Sequence, residues 1–268
     1  MIFYFTGTGN SQYVAQNLLA ADERLIGIKE AVDNSLYHYE TGKGERVGFV
    51  FPVYFGGLPT ILIHFIRRLV LEGERPAFLY AVMTNGGGPM AADRMFRKHL
   101  ESRAYPVDEV FSLTMPDNCF LYYDVASEEE ESQILAGAEK DLVLIRNRIL
   151  DRTKTDVSEE NRPDMAESYR SGIKEQIFTR AAYPFYIRGR RTKKFWVDDQ
   201  CVSCYACQNR CPAHAIRLID GKPTWVKDRC VLCLGCMRCG AIHYGKADGK
   251  HGRYKHPIFR KKAQYHDH

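Results

Sequence analysis

Short continuous apolar runs alternate with amphipathic stretches through the first half of the chain. Residues 2–5 form an apolar strand, and 12–19 carry the spacing of a helix. A second strand is predicted over 24–28, and a fully apolar one over 46–53, with the sequence RVGFVFPV. A helix at 60–71, a strand at 77–83, a helix at about 90–101 and a strand at 107–114 continue the alternation. A long helix over 127–152 closes the block. Its acidic first turn, Glu128 to Glu131, complements the positive end of the helix dipole. Continuously apolar strands separated by helices predict an α/β fold with a parallel sheet covered on both faces.

Beyond this block the pattern changes. Residues 151–164 are polar and broken by Pro163, and 166–182 read as a helix. Arg188, Arg190, Arg191, Lys193 and Lys194 follow, read as a solvated linker in preference to a docking patch for an acidic redox partner. The division expected is therefore a cofactor-binding domain at 1–155, a helical and basic linker at 156–194, a cysteine-rich module at 195–245 and a basic tail at 246–268. The tail's His251, His256, His266 and His268 are too irregularly spaced to argue for a metal site.

Composition narrows the classes. The 268 residues are 45% hydrophobic and 26% charged, which suits a globular domain with a full core. A net charge of +5 is too weak to argue for nucleic acid. No run is long enough for a membrane span, and the start lacks the basic lead-in of a signal peptide, so a cytoplasmic location is expected. That setting disfavours disulfides and turns the nine cysteines toward metal ligation.

Eight of the nine lie in two quartets. The first is Cys201, Cys204, Cys207 and Cys211, followed by Pro212; the second is Cys230, Cys233, Cys236 and Cys239. Three thiolates at two-residue intervals wrap one 4Fe–4S cluster, and the fourth cysteine of such a run ligates the neighbouring cluster. The expected ligand sets are therefore crossed: Cys201, Cys204 and Cys207 with Cys239, and Cys230, Cys233 and Cys236 with Cys211. Zinc is the competing reading, but structural zinc usually takes cysteines in separated pairs. The second quartet is short. Nine positions lead from Cys207 to Ile216, but only six from Cys236 to Ile242, and no proline follows Cys239. This spacing alone does not decide whether Cys239 reaches its assigned cluster. Cys119 stands apart and reads as a structural cysteine in preference to one beside a bound cofactor, a place open to it because it follows the last predicted sheet strand.

The turn after the first strand is Thr6, Gly7, Thr8, Gly9, Asn10 and Ser11. Glycines permit a tight turn, and amides at the following helix start face an anion. The loop lacks the lysine of a P-loop, and Gln12 replaces the third glycine of a dinucleotide fingerprint, so the phosphate of FMN suits it best. A plain glycine turn is the alternative. Two further loops lie at the carboxyl ends of strands, where open parallel sheets bind ligands. One carries Tyr54, Phe55, Gly56 and Gly57, with Tyr54 either stacking on an isoalloxazine or serving as a core aromatic. The other carries Asn85, Gly86, Gly87 and Gly88, whose amides suit the ring edge.

These motifs together resemble the EFR-type flavodoxin–ferredoxin fusion family of anaerobic bacteria and archaea, over nearly the whole chain. The resemblance rests on the hydroxyls of Thr6, Thr8 and Ser11, on Phe51 to Tyr54, on Asn85 to Gly88 and on Met115 to Asn118. It extends through both cysteine quartets to Gly252, Arg253, Tyr254 and Pro257. It implies a flavodoxin-like doubly wound sheet binding FMN, joined to a smaller ferredoxin-like α+β domain with two 4Fe–4S clusters. The expected function is electron transfer between clusters, flavin and protein redox partners. A flavin-dependent reductase fed by its own clusters is the second reading. A zinc protein with an empty flavodoxin-like fold is the third. No Ser/His/Asp or paired-carboxylate constellation is legible, so no acid–base catalytic residue is expected.

Overall fold

The computed structural model describes residues 1–119, 121, 124–151, 165–245 and 252–260. Its centre is a five-stranded sheet of β1 (Ile2–Tyr4), β2 (Leu25–Gly27), β4 (Arg46–Pro52), β6 (Phe78–Asn85) and β7 (Glu109–Thr114). All neighbours pair in parallel, in the order β2-β1-β4-β6-β7. Counting these strands alone, the order is 2-1-3-4-5, the doubly wound arrangement whose ligand crevice lies where the winding reverses, between β1 and β4. Every residue of β4 and β6 is buried, which explains their unbroken apolar character.

Helices cover both faces. The core beneath one face gathers Val14, Leu18, Leu142 and Ile145 from α1 (Asn10–Leu18) and α5 (Glu128–Asp151). The other gathers Ile28, Leu62, Phe65 and Phe96 from α2 (Ile28–Asp33), α3 (Thr60–Ile66) and α4 (Ala92–Glu101). This second core does not stop at the sheet. It continues into Cys207, Cys211, Val231, Leu232, Leu234 and Ile242, so both halves of the chain share one apolar interior.

Five elements differ from the sequence pattern. The helix expected over 60–71 ends at Ile66, because Val70–Gly73 (β5) pairs in parallel with His38–Thr41 (β3) in a small outer sheet. Neither β3 nor β5, nor α2, was predicted. The helix expected over 166–182 instead occupies Ile173–Gly189 (α6) and runs through Pro184. Tertiary contacts fix it. Thr179 Oγ1 donates to the Gly56 carbonyl (2.9 Å), Tyr183 Oη to that of Leu58 (2.7 Å) and Tyr186 Oη to that of Val231 (2.8 Å). The solvated-linker reading also fails at Arg190, which is half-buried and donates to Thr60 Oγ1 (3.0 Å) and the Cys230 carbonyl (3.1 Å). The helix and the residue after it thus clamp the cysteine loops to the sheet.

The cysteine-rich part is built from two short antiparallel pairs. β8 (Phe195–Val197) pairs with β11 (Ile242–Tyr244), and β9 (Ile216–Ile219) with β10 (Lys222–Trp225). Helix α7 (Ala206–Arg210) packs against a 3-10 turn over Gly235–Cys239. Residues 152–164, 246–251 and 261–268, with His251, His266 and His268, lie outside the described residues. A final short helix, α8 (Pro257–Arg260), rests on the glycine-rich turn. Among the described residues no helix is long and apolar enough to cross a membrane.

Candidate functional site

The two cysteine loops repeat one strained backbone pattern. In the first, Ser203 and Tyr205 flank Cys204 with φ of 54° and 59°. In the second, Leu232 and Leu234 flank Cys233 with φ of 56° and 57°. Left-handed backbone costs a non-glycine residue on the order of 1–2 kcal/mol. Two such residues around each central cysteine coil the loop so that successive sulfurs converge.

The sulfurs converge on two cavities. Cys201, Cys204, Cys207 and Cys239 line one; Cys211, Cys230, Cys233 and Cys236 line the other. This is the crossed grouping expected from the sequence, and it includes Cys239. Secondary structure explains how the short quartet reaches. From Cys207 to Cys211 the chain takes four steps through and just past an α-helix, rising about 6 Å at about 1.5 Å per residue. From Cys236 to Cys239 it takes three steps in a 3-10 turn, rising about 6 Å at about 2.0 Å per residue. Each path also makes roughly one full turn. The Pro212 position is taken by Gly240, whose φ of 94° turns the chain into β11.

The cavities differ in depth. In the outer one Cys204 and Cys239 are exposed, beside Val202 at 81% exposure and Tyr205 at 52%. The inner one is walled by Phe195, Ile216, Trp225 and Leu232. Burial pushes the thiol of Cys230 up to about 11 and that of Cys233 up to about 12. Such groups stay protonated at neutral pH unless a bound cation compensates the thiolate charge. Backbone amides already face two sulfurs, Ala215 N to Cys211 Sγ (3.2 Å) and Leu232 N to Cys230 Sγ (3.2 Å). Among the described residues no three His, Cys, Asp or Glu side chains converge tightly enough for a single ion. Four sulfurs spread around each cavity, with amides turned to sulfur, fit a polynuclear cluster with thiolate ligands.

A third cavity, a cleft of about 220 Å³, opens at the carboxyl edge of the sheet. Tyr54, Phe55, Gly56, Asn85, Gly86, Gly87 and Gly88 all line it, so both ring-edge loops meet there. Asn85 shapes its own loop, accepting from Gly88 N (2.7 Å) and donating to Ser112 Oγ (3.0 Å). Asn118 and Cys119 add to the wall, and burial pushes the Cys119 thiol up to about 12. Leu232 and Leu234 complete it. Neither was legible beforehand, since a leucine between cysteines reads as filler. They are the immediate neighbours of Cys233.

Tyr54 is only 8% exposed and meets Tyr186 edge-on at 5.7 Å. Its buried hydroxyl has no hydrogen-bond partner among the described residues, and burial followed by nearby Cys233 holds its pKa well above 10. Tyr54 therefore spans from the cleft toward the inner cysteine cavity.

The glycine-rich turn is placed differently from the expectation. None of Thr6, Gly7, Thr8, Gly9, Asn10 and Ser11 lines the cleft. Thr6 Oγ1 accepts from Gly9 N (3.0 Å), Thr8 Oγ1 from Asn118 Nδ2 (2.6 Å), and Ser11 Oγ shares a proton with Thr84 Oγ1 (2.8 Å). The C-terminal segment caps the turn: His256 N donates to the Thr8 carbonyl (3.0 Å) and Tyr254 Oη to Asn10 Oδ1 (2.7 Å). A Cβ on Gly9 would lie 2.5 Å from the Phe259 ring. The cleft is thus lined by both ring-edge loops, whereas the loop expected to hold the phosphate already has protein partners for its hydroxyls.

No family model matches the chain, and no curated protein does. Among solved structures, the Trp repressor binding protein from Bacillus subtilis is similar at 12% identity with a TM-score of 0.30, over 52% of this chain and 99% of that one. An azoreductase from Bacillus anthracis is similar at 10% identity with a TM-score of 0.33, over 55% and 98%. Likeness at this level carries no argument about activity.

Proposed function

We propose that the chain is an electron-transfer protein in which two 4Fe–4S clusters lead inward to a flavin held in the cleft at the sheet edge. One observation carries the proposal: Leu232 and Leu234, on either side of Cys233, are wall residues of the cleft. The backbone that presents an inner-cavity sulfur is thus also a wall of the ring site. Flavins exchange one or two electrons and so match single-electron clusters to two-electron partners.

The protein's own residues set the order of the relay. Cys204 and Cys239 are exposed with Val202 and Tyr205, so the outer cavity is where a protein redox partner is met. Cys211 and the buried apolar wall keep water from the inner cavity, and amide-to-sulfur bonds tune it. Tyr186 and Arg190 hold the Cys230–Leu234 loop against the sheet, which fixes the distance between centres. A second reading, a flavin-dependent reductase, is favoured by the half-exposed Phe178 on the cleft's rim, which leaves an approach for a small molecule.

Anaerobic isolation followed by iron, acid-labile sulfide, zinc and flavin analysis tests the proposal. Two clusters' worth of iron and sulfide and one flavin per chain are expected. Zinc without sulfide would overturn it.

A further inference from the structure

We propose that a cavity on the other side of Gly7, between the sheet domain and the cysteine-rich part, binds a phosphoryl anion of the diphosphate class at Arg210 and Arg238. The inference is independent of the flavin reading. The cavity has a volume of about 250 Å³ and is lined by Thr6, Gly7, Gln12, Lys29, Arg210 and Arg238, with Glu30 also on its wall. Two elements from each half meet here: α1 and α2 supply Gln12 and Lys29, while α7 and the 3-10 turn supply the arginines.

The charges in this cavity do not cancel. Lys29 pairs with Asp33 one turn along α2, and the Glu30 carboxylate is turned against Gly27. Among the described residues neither Arg210 nor Arg238 has a carboxylate partner, and the buried Arg238 Nε has no hydrogen-bond partner. Two guanidiniums in one concavity repel each other unless an anion sits between them. Arg238 is also pre-positioned. Its guanidinium lies 5.5 Å over the Phe259 ring, and Arg253 Nη1 holds its turn through the carbonyls of Met237 (2.9 Å) and Gly240 (2.7 Å). Planar guanidinium forks match the paired oxygens of a phosphoryl group, and the volume exceeds what a single phosphate fills.

The site is separate from the ring cleft. The two spaces share no lining residue, and Gly7, on the wall of this one, packs so closely on the Cys233 carbonyl that a Cβ there would overlap the oxygen. Occupancy would place negative charge beside the loop carrying Cys233.

The test uses anaerobically purified full-length protein and inorganic pyrophosphate, titrated calorimetrically at fixed ionic strength. Saturable binding is expected, weakened at least tenfold in Arg238→Gln and Arg210→Gln, and about equal in flavin-loaded and flavin-free protein. Both arginines adjoin cysteines, so Lys29→Gln, far from any cysteine in sequence, is the second variant, and a several-fold loss is expected there too. Lys140→Gln, at an exposed position of α5, should bind as the wild type does. Unchanged affinity in the cavity variants, or equal losses in Lys140→Gln, would mean an adventitious ion only and overturn the proposal. Binding confined to flavin-free protein would assign the site to the flavin's own phosphate and overturn it as well.

Discussion

Gly7 and Cys233 touch backbone to backbone: the glycine of the first turn has its Cα against the carbonyl of the central cysteine in the second quartet. The residues are far apart in sequence and belong to the two halves of the chain. Tyr54 Oη would be 3.2 Å from a Cβ on Gly7, so ring cleft, glycine turn and inner cysteine cavity meet at this point. Glycine is required here for close approach rather than for a special φ.

Gly7→Ala should therefore push the two halves apart. Relief of the overlap needs backbone movement, for which overpacking costs of about 1 to 3 kcal/mol are typical. Thermal unfolding checks the cost. Electron exchange between cluster and flavin should slow in the same variant. An unchanged melting temperature together with an unchanged transfer rate would show that the contact is not tight.

Tyr186→Phe removes a hydroxyl that donates to the Val231 carbonyl at 2.8 Å inside the shared core. The carbonyl is then left without this donor, at a cost of about 1 to 3 kcal/mol. Urea unfolding should register that loss. Release of iron from the inner cavity should become faster, because Val231 follows Cys230.

Cys211→Ala and Cys239→Ala test the crossed grouping. Cys239→Ala should lose the outer cluster and spare the inner one; Cys211→Ala should do the reverse. Electron paramagnetic resonance of the reduced proteins, with iron counts, separates the outcomes. If each variant lost the cluster of its own quartet, the uncrossed assignment would hold.

His256 gives the closing of the glycine turn a pH dependence. Burial, then Arg260, lowers its pKa from 6.5 to about 4. The unfolded chain binds this proton more tightly, so the folded state is favoured fully above pH 6.5. That advantage, on the order of 2 kcal/mol, declines as pH falls toward 4. Protection of the amides at Thr8 and its neighbours, measured against their intrinsic exchange rates, should fall between pH 7 and pH 5, and His256→Asn should flatten the dependence. Equal protection at both pH values in the wild type would contradict it.

Much of this architecture could be read from residue patterns. The unbroken apolar runs of 46–53 and 77–83 mark buried parallel strands because both sheet faces are covered. The quartets are legible because a cluster held by thiolates would require such spacing. Cys239 was not decidable, since three residues reach as far as four only if the turn tightens from α to 3-10, and local sequence does not specify that choice. Leu232 and Leu234 escaped notice because their role comes from docking on another domain. The glycine turn was read as a phosphate cradle, whereas Tyr254, His256 and Phe259, brought from the far end of the chain, cover it. Such long-range packing leaves no local pattern to read.

Rapid mixing of the oxidised, flavin-replete protein with a one-electron reductant, under strict anaerobiosis, bears most directly on the relay. The account predicts that the cluster absorbance bleaches first and recovers as flavin absorbance falls, at a rate independent of protein concentration. Bleaching with no internal recovery, or recovery whose rate scales with concentration, would contradict it.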